Sequence, residues 1–291
     1  MQLCPIDVVE NIEYEEFQRN YFKPRKPLII KGLAKQWPAY TKWNWDYFIE
    51  LVGKHTVPVY NNVKSDPRTP INKADGYMPF GEYLKMVSQG PVELRVFAFN
   101  IFDAAKNLTE DFSFPTHLAK RFVKRYPMLF VGGAGSITHM HFDIDHSHIF
   151  HTQFIGRKRV LLFPYEEAPK LYRKPWEVLC MPDYTHYHEE GRLDLNNYPA
   201  IKKAKGYEVI LEHGDTMFMP TGYFHHMEYI ESGFAMSLRL LDPSPIKVAQ
   251  GVWSLVGMRN IDTLLKKTMP NAWYNYKKGK VMKAAAPYEE A

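Results

Sequence analysis

The sequence is poor in cysteine: its 291 residues include two, Cys4 and Cys180, far apart and in no metal-type pair. A disulfide scaffold is therefore excluded as a source of stability, and a reducing cytoplasm is the compartment that fits. Long apolar runs are also missing. No stretch of about 18 apolar residues occurs, so nothing reads as a transmembrane helix. The N-terminal MQLCPIDVVENIEYEEF is acidic, is broken by Pro5, and has neither the basic nor the apolar region of a signal peptide. Charge of one sign is barely in excess. The 37 basic and 32 acidic residues leave +5, too little to argue for nucleic acid as the main partner. There is no internal repeat, no low-complexity segment and no linker that divides the chain.

What is present is globular. Hydrophobic residues at 45% and charged residues at 24% are enough for a substantial core, and the 15% of aromatics suit a β-rich interior where rings pack across a pleated surface. Residues 1–127 mix helix and strand and read as an N-terminal α+β segment that packs on and extends a strand-rich core. Residues 7–22 have Val9, Ile12, Phe17 and Phe22 at roughly helical spacing. Leu28, Ile29 and Ile30 read as a buried strand. Residues 44–53 read as a helix from an Asn44 N-cap to a Gly53 stop. Strand VPVYNN, helix PFGEYLKMVSQG and strand ELRVFAFNIF come next, and THLAKRFVKRY (116–126) puts four basic residues on a solvated helix face.

From Met128 the pattern changes. MLFVGG, SITHMHFDID, HIFHTQFIG, KRVLLFP, YEVILEHG, DTMFMP and GFAMSLRLL are strand-like runs between Gly, Pro and Asp turns. Many short strands at such spacing indicate a sandwich or barrel. This core, residues 128–245, carries a polar, Tyr-rich insertion at about 165–206 that borders its mouth. Residues 246–291 form a helical C-terminal extension, with Val248, Val252, Leu255 and Val256 on one stripe, Asp262 capping a second helix, and a loosely ordered tail from Lys277. The apolar stripe either packs back on the domain or joins two copies of the chain.

Five of the twelve histidines fall between residues 139 and 151. In SITHMHFDID, His139, His141, Asp143 and Asp145 occupy every second position, which on a strand puts all four on one face. An apolar core does not tolerate two imidazoles and two carboxylates without a partner. Either that face is in water or it serves a cation. Two histidines and one carboxylate, leaving three positions open, form the facial set used for non-haem iron(II). The remaining ligand must come from elsewhere, and the best candidate is His225 in GDTMFMPTGYFHH, with His226 pointing to the opposite face.

FVGGAGSITHMHFDID, QFIGRKRVLLFP and LEHGDTMFMPTGYFHHMEYIESGFAMSLRLL together resemble the JmjC or cupin-like hydroxylases related to factor-inhibiting asparaginyl hydroxylase. The upstream KPLIIKGLAKQWPAYTKWNWDYFIELVG resembles the entry segment of that family. The resemblance implies a mainly β double-stranded β-helix, a jelly roll with flanking helices. It implies metal ligands His141, Asp143 and His225, iron(II) as the metal, and 2-oxoglutarate as cosubstrate, its distal carboxylate held by Lys158 and Thr138. Here the spacing from His141 to Lys158 is about two residues longer, which calls for a bulge between them. Where relatives present an asparagine to the cosubstrate, this chain offers Ser147 and His148. Arg239 stands where other oxygenase families bind the oxoacid carboxylate; it either shares that role with Lys158 or forms a surface ion pair. His139 and His151 either orient ligands or line the substrate pocket.

The function implied is hydroxylation of a protein side chain or a small molecule, coupled to decarboxylation of 2-oxoglutarate to succinate. The C-terminal helices of the asparaginyl hydroxylase mediate dimerisation, and the same resemblance implies a homodimer through residues 246–291. The rival reading is a cupin-type metal-binding protein, or a metalloenzyme of another kind, that does not use 2-oxoglutarate.

Overall fold

Short runs of β-branched and aromatic residues between glycine, proline and aspartate turns organise the chain into two sheets. The structure is a computed structural model and describes residues 1–64, 66–69 and 74–289. The N-terminal segment contributes β1 (Gln2–Pro5), β2 (Asp7–Val9), β3 (Leu28–Ile30), β4 (Thr56–Asn61), β5 (Gly76–Pro79) and β6 (Leu94–Phe99). The core continues with β7 (Met128–Gly132), β8 (Ile137–His141), β9 (His148–Ile155) and β10 (Lys158–Phe163). After the insertion come β11 (Lys205–Leu211), β12 (Thr216–Met219), β13 (Phe224–Tyr229) and β14 (Gly233–Leu240). One sheet has the order β1-β11-β10-β13-β8; the other runs β2-β3-β12-β9-β14-β7-β6-β4-β5. This is the jelly roll with flanking helices that the sequence implies.

The two sheets share an interior. Ile149, Met217 and Met219 from one meet Val160, Leu162, Leu211 and Met227 from the other. A large aromatic cluster fills the space between the N-terminal helices and the outer face of the longer sheet, including Phe17, Trp43, Phe48, Phe150, Phe154 and Phe234. Each fully buried ring of this kind stabilises the fold by about 1.5–3 kcal/mol. A second outer cluster sits under the insertion, where Leu161, Phe163 and Phe224 meet Tyr172, Tyr184, Ile201, Val281 and Ala285. The helix Trp45–Val52 begins as its sequence suggests, with the Asn44 side chain accepting from Tyr47 N at 2.9 Å. The irregularity expected between His141 and Lys158 is present: Ile155 pairs with Phe234 but Gln153 with Ala235, so Phe154 is an extra residue in β9.

Four local expectations are corrected. Residues 7–9 are not helical but pair in parallel with β3, Val9 against Ile30, and only a short α-turn and π-turn cover Tyr14–Phe22. A sheet edge open to Val8 and Val9 overrides a weak helical spacing. Residues 116–126 form no helix, because their backbone groups bond to β14: Val123 N donates to Arg239 O, and Phe122 bridges Leu240. Asp262 caps nothing. It lies inside the helix Arg259–Thr268, which continues from Pro245–Trp253 through a π-turn at Ser254–Met258. The tail is a helix over Pro270–Ala285, held by Val281, Ala285 and a buried Lys277, while Glu290 and Ala291 fall outside the described residues. Among the described residues no helix is long and apolar enough to cross a membrane.

Candidate metal centre

β8 ends at His141, so the strict alternation of four polar side chains stops there and a turn carries Asp143 and Asp145. That turn closes with His146 at φ +51°. β13 lies antiparallel to β8 with His225 opposite His141, and the two ring centroids are 4.2 Å apart. The outcome is convergence: one ligand atom each from His141, Asp143 and His225 lies within 4.8 Å of the others. His141 Nδ1 is 2.8 Å from the carbonyl oxygen of His139, and His225 Nδ1 is 3.3 Å from that of Tyr223. A carbonyl only accepts, so both Nδ1 atoms carry the proton and both Nε2 atoms keep a lone pair. Burial keeps both imidazoles neutral, pushing His225 down to about 3 and His141 in the same direction. Burial alone would raise the Asp143 carboxyl; the guanidinium of Arg239 outweighs it and holds the group below the usual range. Two lone pairs and a carboxylate at this separation suit a divalent cation.

Arg239 donates to Asp145 Oδ2 at 2.5 Å and sits 3.7 Å from Asp143 Oδ1. It is therefore an ion-pair partner, largely buried, that orients the carboxylate side of the set. Lys158 differs. Its side chain is fully buried, and among the described residues no carboxylate lies within ion-pair distance. Its ammonium donates to His151 Nε2 at 3.1 Å and sits 4.3 Å from the centroid of the Tyr229 ring. His151 Nδ1 in turn donates to Ser237 Oγ at 2.8 Å. Burial pushes Lys158 down to about 7. The Tyr229 ring fits because β7 has a glycine below it: a Cβ on Gly132 would lie 2.4 Å from that ring.

A cavity of about 330 Å³ joins these groups; Thr138, His139, His151 and Arg239 line it beside His141, Asp143 and His225. His139 holds Asn62 O through Nε2 at 3.0 Å, leaving its buried Nδ1 without a hydrogen-bond partner. Ser147 and His148 do not reach the cavity. Ser147 bonds Asp145, and His148 pairs with Asp242 at 3.1 Å and stacks on Phe218. His226 turns outward beneath Tyr184 and Tyr187. The remaining wall was not read from the sequence: Tyr60, Lys64, Arg95 and Phe97 come from the N-terminal segment, Trp176 and Glu177 from the insertion, and Arg259 and Asp262 from the C-terminal helices. A strand alternation placing Arg95 and Phe97 on one face was the available signal.

His186, His188 and Glu228 also converge, on the outer face. There the Arg159 guanidinium already occupies the centre, 2.8 Å from His188 Nδ1 and 3.1 Å from Glu228 Oε2, so the group is satisfied as an ion-pair network.

Two sheets closed around a His/Asp/His set define a cupin-type jelly roll. A model of the cupin-like domain matches residues 14–274, and the chain belongs to this JmjC-type cupin-like family. The chain is 26% identical to the Jumonji C domain-containing protein 5 of Drosophila melanogaster, over 80% of its own length and 59% of the relative. Identity to the lysine-specific demethylase JMJ30 of Arabidopsis thaliana is also 26%, over 78% and 52%. With tRNA wybutosine-synthesizing protein 5 of Gallus gallus it is again 26%, over 79% and 75%. The chain thus spans little more than half the length of the first two relatives. The family generally comprises iron(II)- and 2-oxoglutarate-dependent oxygenases.

Proposed function

We propose that the protein is an iron(II)- and 2-oxoglutarate-dependent oxygenase that hydroxylates its substrate, with His141, Asp143 and His225 holding the metal and Lys158 anchoring the distal carboxylate of 2-oxoglutarate. The observation that carries this reading is a fully buried ammonium to which no described residue supplies a counter-ion, one hydrogen bond behind the wall of the cavity that the His/Asp/His set faces. A buried charge of this kind costs several kcal/mol unless an anion compensates it, and a dicarboxylate reaching from the metal set would do so.

Iron(II) with 2-oxoglutarate would supply oxidative decarboxylation of the cosubstrate coupled to oxygen insertion into a C–H bond. The chain's own contributions are positional. The His139 and Tyr223 carbonyls fix the tautomers of the two histidines, and Arg239 keeps Asp143 ionised. Thr138 lines the cavity and offers a hydroxyl to the same carboxylate as Lys158. Arg239, committed to Asp143 and Asp145, is not the anchor in this reading. The test is an anaerobic titration with iron(II) and then 2-oxoglutarate, monitored in the visible spectrum. A weak charge-transfer band requiring both additions, and lost in His225→Ala, supports the proposal; metal binding without the band favours a cupin that does not use 2-oxoglutarate.

The relatives' names span lysine demethylation and tRNA wybutosine synthesis, so kinship leaves the substrate open. We further propose a homodimer through the C-terminal helices. Val252, Trp253, Leu255, Val256 and Leu264 are all exposed there, an apolar face that a second copy would cover. A monomer mass by light scattering at micromolar concentration would remove this proposal.

A further inference from the structure

A second cavity, of about 450 Å³, adjoins the metal set from its other side. None of His141, Asp143 and His225 lines it, yet its walls include the two segments that carry them. Phe142 and His146 come from the turn after β8, and Thr221 and Tyr223 from the bend before β13. Thr221 Oγ1 ties the two together by donating to the carbonyl oxygen of His146 at 2.5 Å. Phe142 lines the metal-side cavity as well, so this residue forms a wall common to both spaces. The insertion and the helix Pro245–Trp253 close the other side with Tyr165, Arg173, Lys247 and Trp253.

Two cations of this wall have no counter-ion among the described residues. Arg173 is partly buried, with its guanidinium carbon 5.5 Å from the centroid of the Phe142 ring and its buried Nε without a hydrogen-bond partner. Lys247 is partly buried in the first turn of its helix. No described carboxylate comes within ion-pair distance of either. Arg25, on the same wall, is already neutralised by Asp242 at 3.0 Å. The carboxylates nearby do not fill the gap. Glu166 lines the cavity but is exposed and pairs with neither cation, and Asp145 is committed to Arg239 and Ser147. Arg173 and Lys247 act at one place: burial lowers the His146 imidazole, and both cations lower it further against Asp145 and Asp143.

Stacking on Phe142 offsets part of what the Arg173 guanidinium loses on leaving water, but it supplies no hydrogen bonds. Carboxylate and phosphate oxygens match the fork of a guanidinium and satisfy its donors. The volume is of the order that takes small organic molecules, roughly 300–1,000 Å³, and the aromatic side chains offer apolar surface beside the cations. We propose that this second cavity binds a small organic anion, its phosphate or carboxylate head held by Arg173 and Lys247 and its body against Tyr165, Tyr223 and Trp253. The site is separate from the metal centre and does not depend on the oxygenase reading.

The test is a calorimetric titration of the full chain, held anaerobically with iron(II) and 2-oxoglutarate, using phenyl phosphate, benzoate and the neutral benzyl alcohol. At least one of the two anions should bind at millimolar concentration, and the tighter one identifies the head group. Benzyl alcohol should bind more weakly than either. Arg173→Gln and Lys247→Gln should each lose roughly tenfold in affinity. Lys247 makes no hydrogen bond through its side chain among the described residues, so its variant keeps the test decisive if Arg173→Gln folds poorly. Lys64→Gln, which removes an ammonium from the metal-side cavity, should lose nothing. Binding should also change the tryptophan fluorescence, and Trp253→Phe should remove most of that change. The proposal is overturned if neither anion binds, if the alcohol binds as tightly, or if Lys247→Gln keeps the parental affinity. A loss seen in Lys64→Gln instead would overturn it too, by placing the anion beside the metal.

Discussion

Replacing Lys158 by methionine should make the ligand-free protein more stable while abolishing its response to 2-oxoglutarate. The Lys158 side chain is fully buried, and the desolvation that depresses it moves its pKa from 10.5 to about 7. The folded state binds the proton less tightly than the unfolded state does. Stability therefore rises with pH between about 7 and 10.5, where the unfolded lysine is still protonated and the folded one has lost its proton. Below about 7 both forms carry the proton, and the full penalty applies. A shift of this size corresponds to an upper bound of about 3–5 kcal/mol at neutral pH, of which lost packing and the His151 hydrogen bond return part. Urea unfolding at pH 7 and pH 9 measures the effect. Lys158→Met should raise the midpoint at pH 7 and flatten the rise toward pH 9. With metal present, 2-oxoglutarate at about a hundred times its Kd should stabilise the parent by about 2.7 kcal/mol and leave the variant unmoved. A variant that is less stable at pH 7, with the parental pH slope and the parental response to 2-oxoglutarate, would refute the view of Lys158 as an uncompensated charge awaiting an anion.

Arg239→Gln should weaken metal binding by about 10–100-fold without unfolding the protein, because Asp143 and Asp145 lose the cation that orients them; a competition titration with a metal chelator measures this. Glu177→Gln should destabilise the fold by about 3–5 kcal/mol, since Lys174 would lose the carboxylate it pairs with and Lys266 and Lys277 would be left with Asp262, and limited proteolysis should cut the C-terminal helices first. Glu177 itself is held down at about 2, the lysines outweighing burial. Its contribution is complete above an ordinary carboxyl pKa of 4.5 and fades as pH falls toward 2, which an acid unfolding curve should register in the parent and not in the variant. Gly132→Ala should cost at least about 1–3 kcal/mol by driving a Cβ into the Tyr229 ring, and should weaken 2-oxoglutarate binding through the displaced Lys158.

The strand-rich core was readable because its signals are local. Period-two runs between positive-φ glycines at 156, 214 and 222 appear as strands and tight turns where the sequence puts them. The residues gathered at the centre were also readable, since His141 and Asp143 lie two positions apart and His225 comes after a recognisable glycine–aspartate turn and proline bend. The errors arise where tertiary pairing decides. Residues 116–126 have a helical pattern yet spend their backbone hydrogen bonds on β14. Asp262 sits at a plausible cap position yet lies inside a helix and neutralises Lys266 and Lys277. The strand that residues 116–126 pair with lies outside any local window, and of the two lysines that Asp262 meets only Lys266, four residues on, is local.

The distinction bears on function. The groups proposed to do chemistry sit on the core strands β8, β10 and β13 and on the turn after β8, and their identities match what a divalent metal and a dicarboxylate require. The outer wall of the cavity comes from three separated segments: Tyr60, Lys64, Arg95 and Phe97 before the core, Trp176 within the insertion, and Arg259 after it. A fold that fixes the reaction on its central strands while borrowing its outer wall from the flanks can change substrate without disturbing the metal set. Kinship at 26% identity therefore says more about what reaction is catalysed than about what is acted upon.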